Sequence, residues 1–272
     1  MTKVEQSDKP PFFLVAGMFG NVLNLRHLAA HLGDDQTVYA LQARGLHGDD
    51  KPHTRFEDMA RDNLAEIREV QPNGPYFLGG FSGGGIVAYE MAQQLLAAGE
   101  EIGILVMLDS IPARIPSAGK LDRLRIHGIH LREQGLKYPI TWARQRWAWE
   151  TRNMGIKERE LTPAEFRSTE IEAAFVEACA QYEHKTYPGQ VDLFCPPPQV
   201  RYDLGPNKRF NDVRQYLDRA NHWEQYISGG VVVHKVTGDH DSMVLEPHVR
   251  VLANELGACL RKAQQQYQAS DA

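Results

Sequence analysis

The chain has 272 residues, 42% of them hydrophobic and 24% charged, with a formal net charge of −5 and three cysteines. That length and apolar content suit one large domain, or one domain with a sizeable insertion, around a substantial core. The acidic balance and the lack of a clearly basic face exclude a nucleic-acid partner, no apolar run approaches the roughly 20 residues of a membrane helix, and Cys179, Cys195 and Cys259 are too widely spaced for a disulfide framework or a zinc site, which points to a reducing, cytoplasmic compartment.

Met1 to Pro11 is polar, lacks the apolar centre of a signal peptide and reads as a flexible lead-in or linker. Phe12 to Ala16 is a continuous apolar run, expected as a strand covered on both faces. After the loop Gly17-Met18-Phe19-Gly20-Asn21, residues Leu25, Leu28, Ala29 and Leu32 recur at helical spacing and stop at Gly33. Thr37 to Leu41 is a second short strand. Thr54 and Glu57 form a capping-box pattern, opening a helix with Phe56, Met59, Ala60, Leu64 and Ile67 on one face.

Tyr76 to Gly79 is the next buried strand, and a helical run with Val87, Met91 and Leu95 on one face begins just after Gly84. Between them Gly80-Phe81-Ser82-Gly83-Gly84 fits G-x-S-x-G. Such a turn strains the serine backbone, needs small residues on either side, and lifts the hydroxyl to the N-terminus of the new helix. Free N–H groups and a partial positive charge there favour a developing oxyanion. Ile102 to Leu108 is an unbroken apolar strand with Asp109 at its carboxyl end. The alternation of strand and helix implies a parallel sheet with helices on both faces.

The rhythm breaks from about Ile111 to Tyr187, where only helical signals appear. Leu121, Leu124 and Leu131 share one face, and Trp142 and Trp149 lie two turns apart. Thr162-Pro163-Ala164-Glu165 opens a further helix, with Ile171, Ala174, Phe175, Ala178 and Tyr182 on its face. This region reads as a helical insertion over the sheet. Trp142, Trp147 and Trp149, interleaved with Arg144 and Arg146, fit an amphipathic core with solvated arginines better than a binding surface. Lys120, Arg123, Arg125 and Arg132 read as a solvated basic face. Alternation then resumes with a strand at Val191 to Phe194, a proline-rich loop from Cys195 to Gly205, and a last strand at Val231 to Val236. Pro247 opens a final helix that turns Val249, Leu252, Leu256 and Leu260 inward.

A serine hydroxyl becomes a nucleophile only when a base takes its proton, and the base needs an orienting acid. The elbow predicts the order serine, acid, histidine. Asp109 follows the strand after the elbow, and His240 sits in Gly238-Asp239-His240-Asp241 after the last strand, so Ser82, Asp109 and His240 all belong at the carboxyl rim. His234 lies inside its strand and is less suited. Asp239, His240 and Asp241 are too close along one loop to converge on a metal ion. The oxyanion hole is expected from the backbone N–H groups of Gly83 and of a residue in the first loop, Met18 being the best placed.

With these residues in place the chain resembles the thioesterase domains of the α/β-hydrolase fold that end non-ribosomal peptide and polyketide synthases. The resemblance runs nearly the whole length. It rests on Phe13 to Asn21, Val38 to Leu46, Gly80 to Gly84, Met107-Leu108-Asp109-Ser110, Trp223, Gly238-Asp239-His240 and Glu246-Pro247. The first loop departs from it: Ala16-Gly17-Met18-Phe19-Gly20 stands where family members often show His-Pro-Ala-Gly-Gly. The resemblance implies an α/β fold with a mostly parallel central sheet and the helical insertion of about 111–187 as a lid. It also implies an acyl or peptidyl substrate held as a thioester on the phosphopantetheine of a carrier protein, with no cofactor of the chain's own. Hydrolysis and ring closure both remain open. The competing readings are a stand-alone proofreading thioesterase or small-molecule carboxylesterase, and a non-catalytic member of the fold.

Overall fold

The computed structural model describes residues 9–47, 50–135, 137–154, 163–206, 208–211 and 214–270. Most of the lead-in, Thr162 and the side chains of Arg146, Trp149 and 163–166 lie outside the described residues. Two compact units divide the chain. The main unit draws on 1–114, 167–198 and 218–272, and the second on 115–166 and 199–217.

The main unit is built on six parallel strands: β1 (Phe12–Val15), β2 (Val38–Leu41), β3 (Tyr76–Phe81), β4 (Ile102–Leu108), β5 (Val191–Cys195) and, after the short strands of the second unit, β9 (Val231–Lys235). Their order across the sheet is β2-β1-β3-β4-β5-β9. The chain runs from β1 out to one edge and returns to β3 on the other side of β1, so the switch point of the topology lies between β1 and β3.

Successive residues on a strand face opposite ways, and the two faces feed two cores. Phe12, Leu14, Phe77, Ile104, Val106 and Phe194 pack with α1 (Arg26–His31) and α7 (Val249–Ser270). Phe13, Val15, Leu78, Leu105, Met107 and Leu193 pack with α2 (Phe56–Val70), α3 (Gly84–Ala97) and the later turns of α6 (Pro163–Gln181). Burial on both faces is why these strands read as unbroken apolar runs. Phe56, Ala60, Leu64 and Ile67 are buried as their spacing predicts, and so are Val249, Leu252, Leu256 and Leu260. The capping box is not formed. Arg55 takes the N-cap of α2 without a side-chain cap bond, because the helix begins one residue later than the Thr54 and Glu57 pattern requires.

The second unit contains α4 (Lys120–Gln134), α5 (Lys137–Met154) and a small antiparallel sheet of β6 (Tyr202–Asp203), β7 (Arg209–Asn211) and β8 (Gln215–Tyr216). The helical stretch expected over 111–187 is therefore shared. From Arg167 on, α6 belongs to the main unit, where Ile171, Ala174, Ala178 and Tyr182 are buried. The loop expected over Cys195 to Gly205 ends in β6 instead. The core of this unit is Ala118, Tyr202, Leu204 and Phe210, with Ile126, Ile129 and Tyr216 packed on it. The inward face of α4 is thus not the one its leucines mark: Leu121 is 74% and Leu124 67% exposed, while Asp122 is buried. Asp122 accepts bonds from Tyr216 Oη (2.6 Å), Lys208 Nζ (2.9 Å) and Arg125 Nη1 (3.3 Å). The tryptophans differ from expectation too, with Trp147 69% and Trp142 42% exposed, so they are not core.

Candidate active site

Three turns at the carboxyl ends of β3, β4 and β9 carry the expected residues. Ser82 follows β3 directly and has φ of 53°, the left-handed region that costs a non-glycine residue backbone strain. The turn is feasible because its flanks are bare. A Cβ on Gly80 would lie 2.1 Å from the Gly84 carbonyl oxygen, and one on Gly84 would lie 2.3 Å from the Ala16 oxygen. The Ser82 N–H donates to the Leu108 carbonyl at 2.8 Å, which ties the turn to the end of β4.

Asp109 repeats the device one strand along. Its φ is 49°, and its N–H donates to the Phe194 carbonyl of β5 at 2.7 Å. Its carboxylate is fully buried. A buried charge must be paired or bonded, and His240 Nδ1 lies 2.8 Å from Asp109 Oδ2. The other ring nitrogen, His240 Nε2, lies 3.0 Å from Ser82 Oγ. Hydroxyl, imidazole and carboxylate thus form one chain of hydrogen bonds, with the serine at the start of α3, where the helix dipole is positive.

The loop carrying His240 is fastened locally. The Asp239 N–H donates to Ser242 Oγ (2.9 Å), and both the Ser242 N–H (2.9 Å) and its hydroxyl (2.6 Å) donate to Asp239 Oδ1. These bonds hold the Asp239 carboxyl below its usual range. Asp239 therefore organises its own turn. Phe81 stacks on the His240 ring with centroids 5.2 Å apart and restrains its plane.

Sequence reasoning missed Asn221. It is buried, and its amide donates to the Ser110 carbonyl (3.1 Å) and toward Asp109 Oδ1 (3.4 Å). The signal was conformational: Asn221 has φ of 52°, a region asparagine tolerates better than most residues. Trp223, two residues on, donates from its indole N–H to the same carbonyl at 3.1 Å. Trp223 packs on Tyr89 and on His184, which also stacks on Tyr226. Burial among these rings, with Arg114 adding, lowers the His184 imidazole to about 4.

Met18 lies in the turn after β1 and lines a cavity of about 450 Å³. Gly17 beside it comes against Ser82, since a Cβ there would sit 3.5 Å from the serine Cβ. Gly83 forms the N-cap of α3 under the ring of Phe175. The cavity walls include Leu41, Met59, Val87, Ile171 and Phe175, and a charged group gathers on one side. There Arg44 bridges Asp62 (3.1 Å) and Asp50 (3.2 Å), and His53 lies 2.5 Å from Asp62. Burial works to raise the Asp62 carboxyl, but the bonds from His53 and Arg44 outweigh it and hold it below its usual range. Among the described residues, no helix is long and apolar enough to cross a membrane.

The thioesterase domain family matches residues 10–258. The dimodular nonribosomal peptide synthase of Bacillus subtilis (strain 168) is 45% identical over 105 residues, 39% of this chain and 4% of that synthase. The chondramide synthase cmdD of Chondromyces crocatus is 27% identical over 277 residues, 93% of this chain and 7% of that synthase. The chain thus spans a small fraction of the relatives it matches. The crystal structure of the NocB thioesterase domain in covalent complex with a fluorophosphonate nocardicin G analog superposes with a TM-score of 0.67 at 24% identity, covering 96% of this chain and 98% of that one. That likeness shows the fold: a mostly parallel sheet of the α/β-hydrolase kind.

Proposed function

The chain belongs to the thioesterase domain family, and from that premise we propose that it releases an acyl or peptidyl chain from the phosphopantetheine arm of a carrier protein, through an acyl-serine intermediate, in polyketide or non-ribosomal peptide biosynthesis. The observation that carries this reading is the single imidazole placed 3.0 Å from Ser82 Oγ and 2.8 Å from Asp109 Oδ2.

Ser82 Oγ attacks the thioester carbonyl carbon as His240 Nε2 takes its proton, and Asp109 stabilises the imidazolium that forms. The negative charge on the carbonyl oxygen falls to the backbone N–H groups of Gly83 and Met18. Collapse breaks the carbon–sulfur bond, and the thiol leaves with the proton from His240. Water, or a nucleophile within the chain itself, then attacks acyl-Ser82 with His240 again as base. The chain contributes no cofactor, since phosphopantetheine arrives with the substrate. The cavity beside Gly17 offers apolar walls to an acyl group. The exposed basic residues Lys120, Arg123 and Arg132 suit an acidic carrier protein. The same reading assigns the chain to the cytoplasm.

Mass spectrometry after incubation with carrier-bound acyl thioesters tests the proposal. An acyl adduct on the Ser82 peptide, absent from Ser82→Ala, is the expected result. Release that persists in Ser82→Ala would overturn the mechanism. Turnover of coenzyme A thioesters or small esters far faster than of carrier-bound chains would instead assign a stand-alone proofreading thioesterase or carboxylesterase.

A further inference from the structure

Asp192, His234 and Cys259 are far apart in sequence and take no part in the chemistry above. Asp192 is the second residue of β5, His234 the fourth of β9, and Cys259 stands midway along α7. The sheet register sets Asp192 opposite Val232 and Phe194 opposite His234, so the acid and the imidazole are diagonal neighbours on the face that α7 covers. One carboxylate oxygen, one imidazole nitrogen and the sulfur all lie within 4.8 Å of one another. His234 Nε2 is 2.7 Å from Asp192 Oδ1 and 3.8 Å from Cys259 Sγ. Phe194 stacks on the His234 ring at 4.4 Å and fixes its plane.

We propose that these three side chains form a binding site for a zinc-class divalent cation, separate from the serine site. Tetrahedral zinc holds oxygen and nitrogen at about 2.0–2.2 Å and sulfur at about 2.3 Å, which sets neighbouring donors roughly 3.3–3.6 Å apart. The sulfur–nitrogen separation of 3.8 Å is slightly longer than that spacing and the nitrogen–oxygen separation of 2.7 Å is shorter, so the carboxylate must swing away from the imidazole by about half an ångström. A thiolate, an imidazole and one carboxylate form a borderline-soft set that favours zinc or cobalt over calcium or magnesium, which take oxygen. A cavity of about 370 Å³ opens on the cluster, lined also by Gln190, Lys262 and Gln266, and leaves a fourth position to water.

That cavity reaches Ile102 and Gly103, the first residues of β4, whereas Asp109 follows its last. The register sets Asp192 opposite Val106 of β4, three residues before Asp109, which is about 10 Å along the strand. β9 is an edge strand that runs on to His240, so a bound cation would fasten it to both β5 and α7. Burial, with Asp192 adding, raises the Cys259 thiol to about 11. Metal uptake therefore displaces a proton from sulfur. Spacing along the chain hid the cluster, because its members come from two strands and a helix.

Titration of the metal-free protein with Co²⁺ tests the site. One equivalent should produce thiolate-to-cobalt charge-transfer absorption and the visible bands of four-coordinate cobalt, lost in Cys259→Ser and in His234→Ala. The serine site described above has no thiol and cannot supply this signal. Should either variant fold poorly, the wild-type protein still decides the matter: Zn²⁺ should shield Cys259 from iodoacetamide while labelling of Cys179 stays unchanged. Saturating Zn²⁺ should also raise Tm by roughly 5 °C. Absence of the charge-transfer band, its persistence in Cys259→Ser, or equal labelling of Cys259 with and without Zn²⁺ would overturn the proposal.

Discussion

The two units of this chain solve the problem of burial differently. In the main unit every residue of β1, β3 and β5 is buried, and helices close both faces of the sheet. Among its described residues the second unit hides four apolar side chains in its core, buries the carboxylate of Asp122 beside them, and leaves Leu121, Leu124 and Trp147 in the open. The first arrangement brings Ser82, Asp109 and His240 within hydrogen-bonding distance in one chain. The second spends large apolar side chains on its surface, a use that core packing does not explain. Buried geometry and exposed apolar surface are thus kept in separate parts of the polypeptide.

Four experiments test that contrast. The largest effect is expected in the main unit. Asp109→Asn should lower kcat/KM by about 10⁴-fold, through loss of the imidazole's orientation, while Tm moves little. A change of less than tenfold would remove Asp109 from the catalytic set. Phe56 is fully buried and meets Phe175 and Tyr182 edge-on. Phe56→Ala should therefore cost about 3–5 kcal/mol in urea unfolding.

A third effect depends on pH. The folded pKa of His184 is lowered to about 4 from 6.5, so between these values the unfolded chain binds more protons than the folded one. Stability from this residue is complete above about pH 6.5 and drains away as pH falls toward 4. The loss should be on the order of 2 kcal/mol once partial solvent access is allowed for. Unfolding curves across that range should show this slope, and His184→Phe should flatten it. The smallest effect belongs to the second unit. Leu121→Ala should change stability by less than about 0.5 kcal/mol, and a loss comparable to that of Phe56→Ala would erase the contrast.

The difference between the units also governs what could be read in advance. Strands buried on both faces leave uninterrupted apolar runs, so β1, β3, β4 and β5 were legible, and the valines of the edge strand β9 marked it although none is fully buried. So was the order of serine, acid and histidine, because strand ends define a rim. In the second unit the helical spacing of Leu121 and Leu124 was real, but a second set at the same spacing, Asp122, Ile126 and Ile129, is the one that turns inward. A polar hub and strands of two or three residues carry almost no periodic signal. Asn221 was illegible for another reason, since its value lies in a backbone angle. Asp192, His234 and Cys259 meet only once sheet and helix are assembled.

The amides of Ser82 and Asp109 are bonded to carbonyls of the neighbouring strands, which adds one rung to the sheet at each turn. Their hydrogens should therefore exchange with deuterium at the pace of global opening rather than at the pace of an ordinary loop. Two labelled amides would then report whether the reactive geometry is intact in a sample that has never met a substrate.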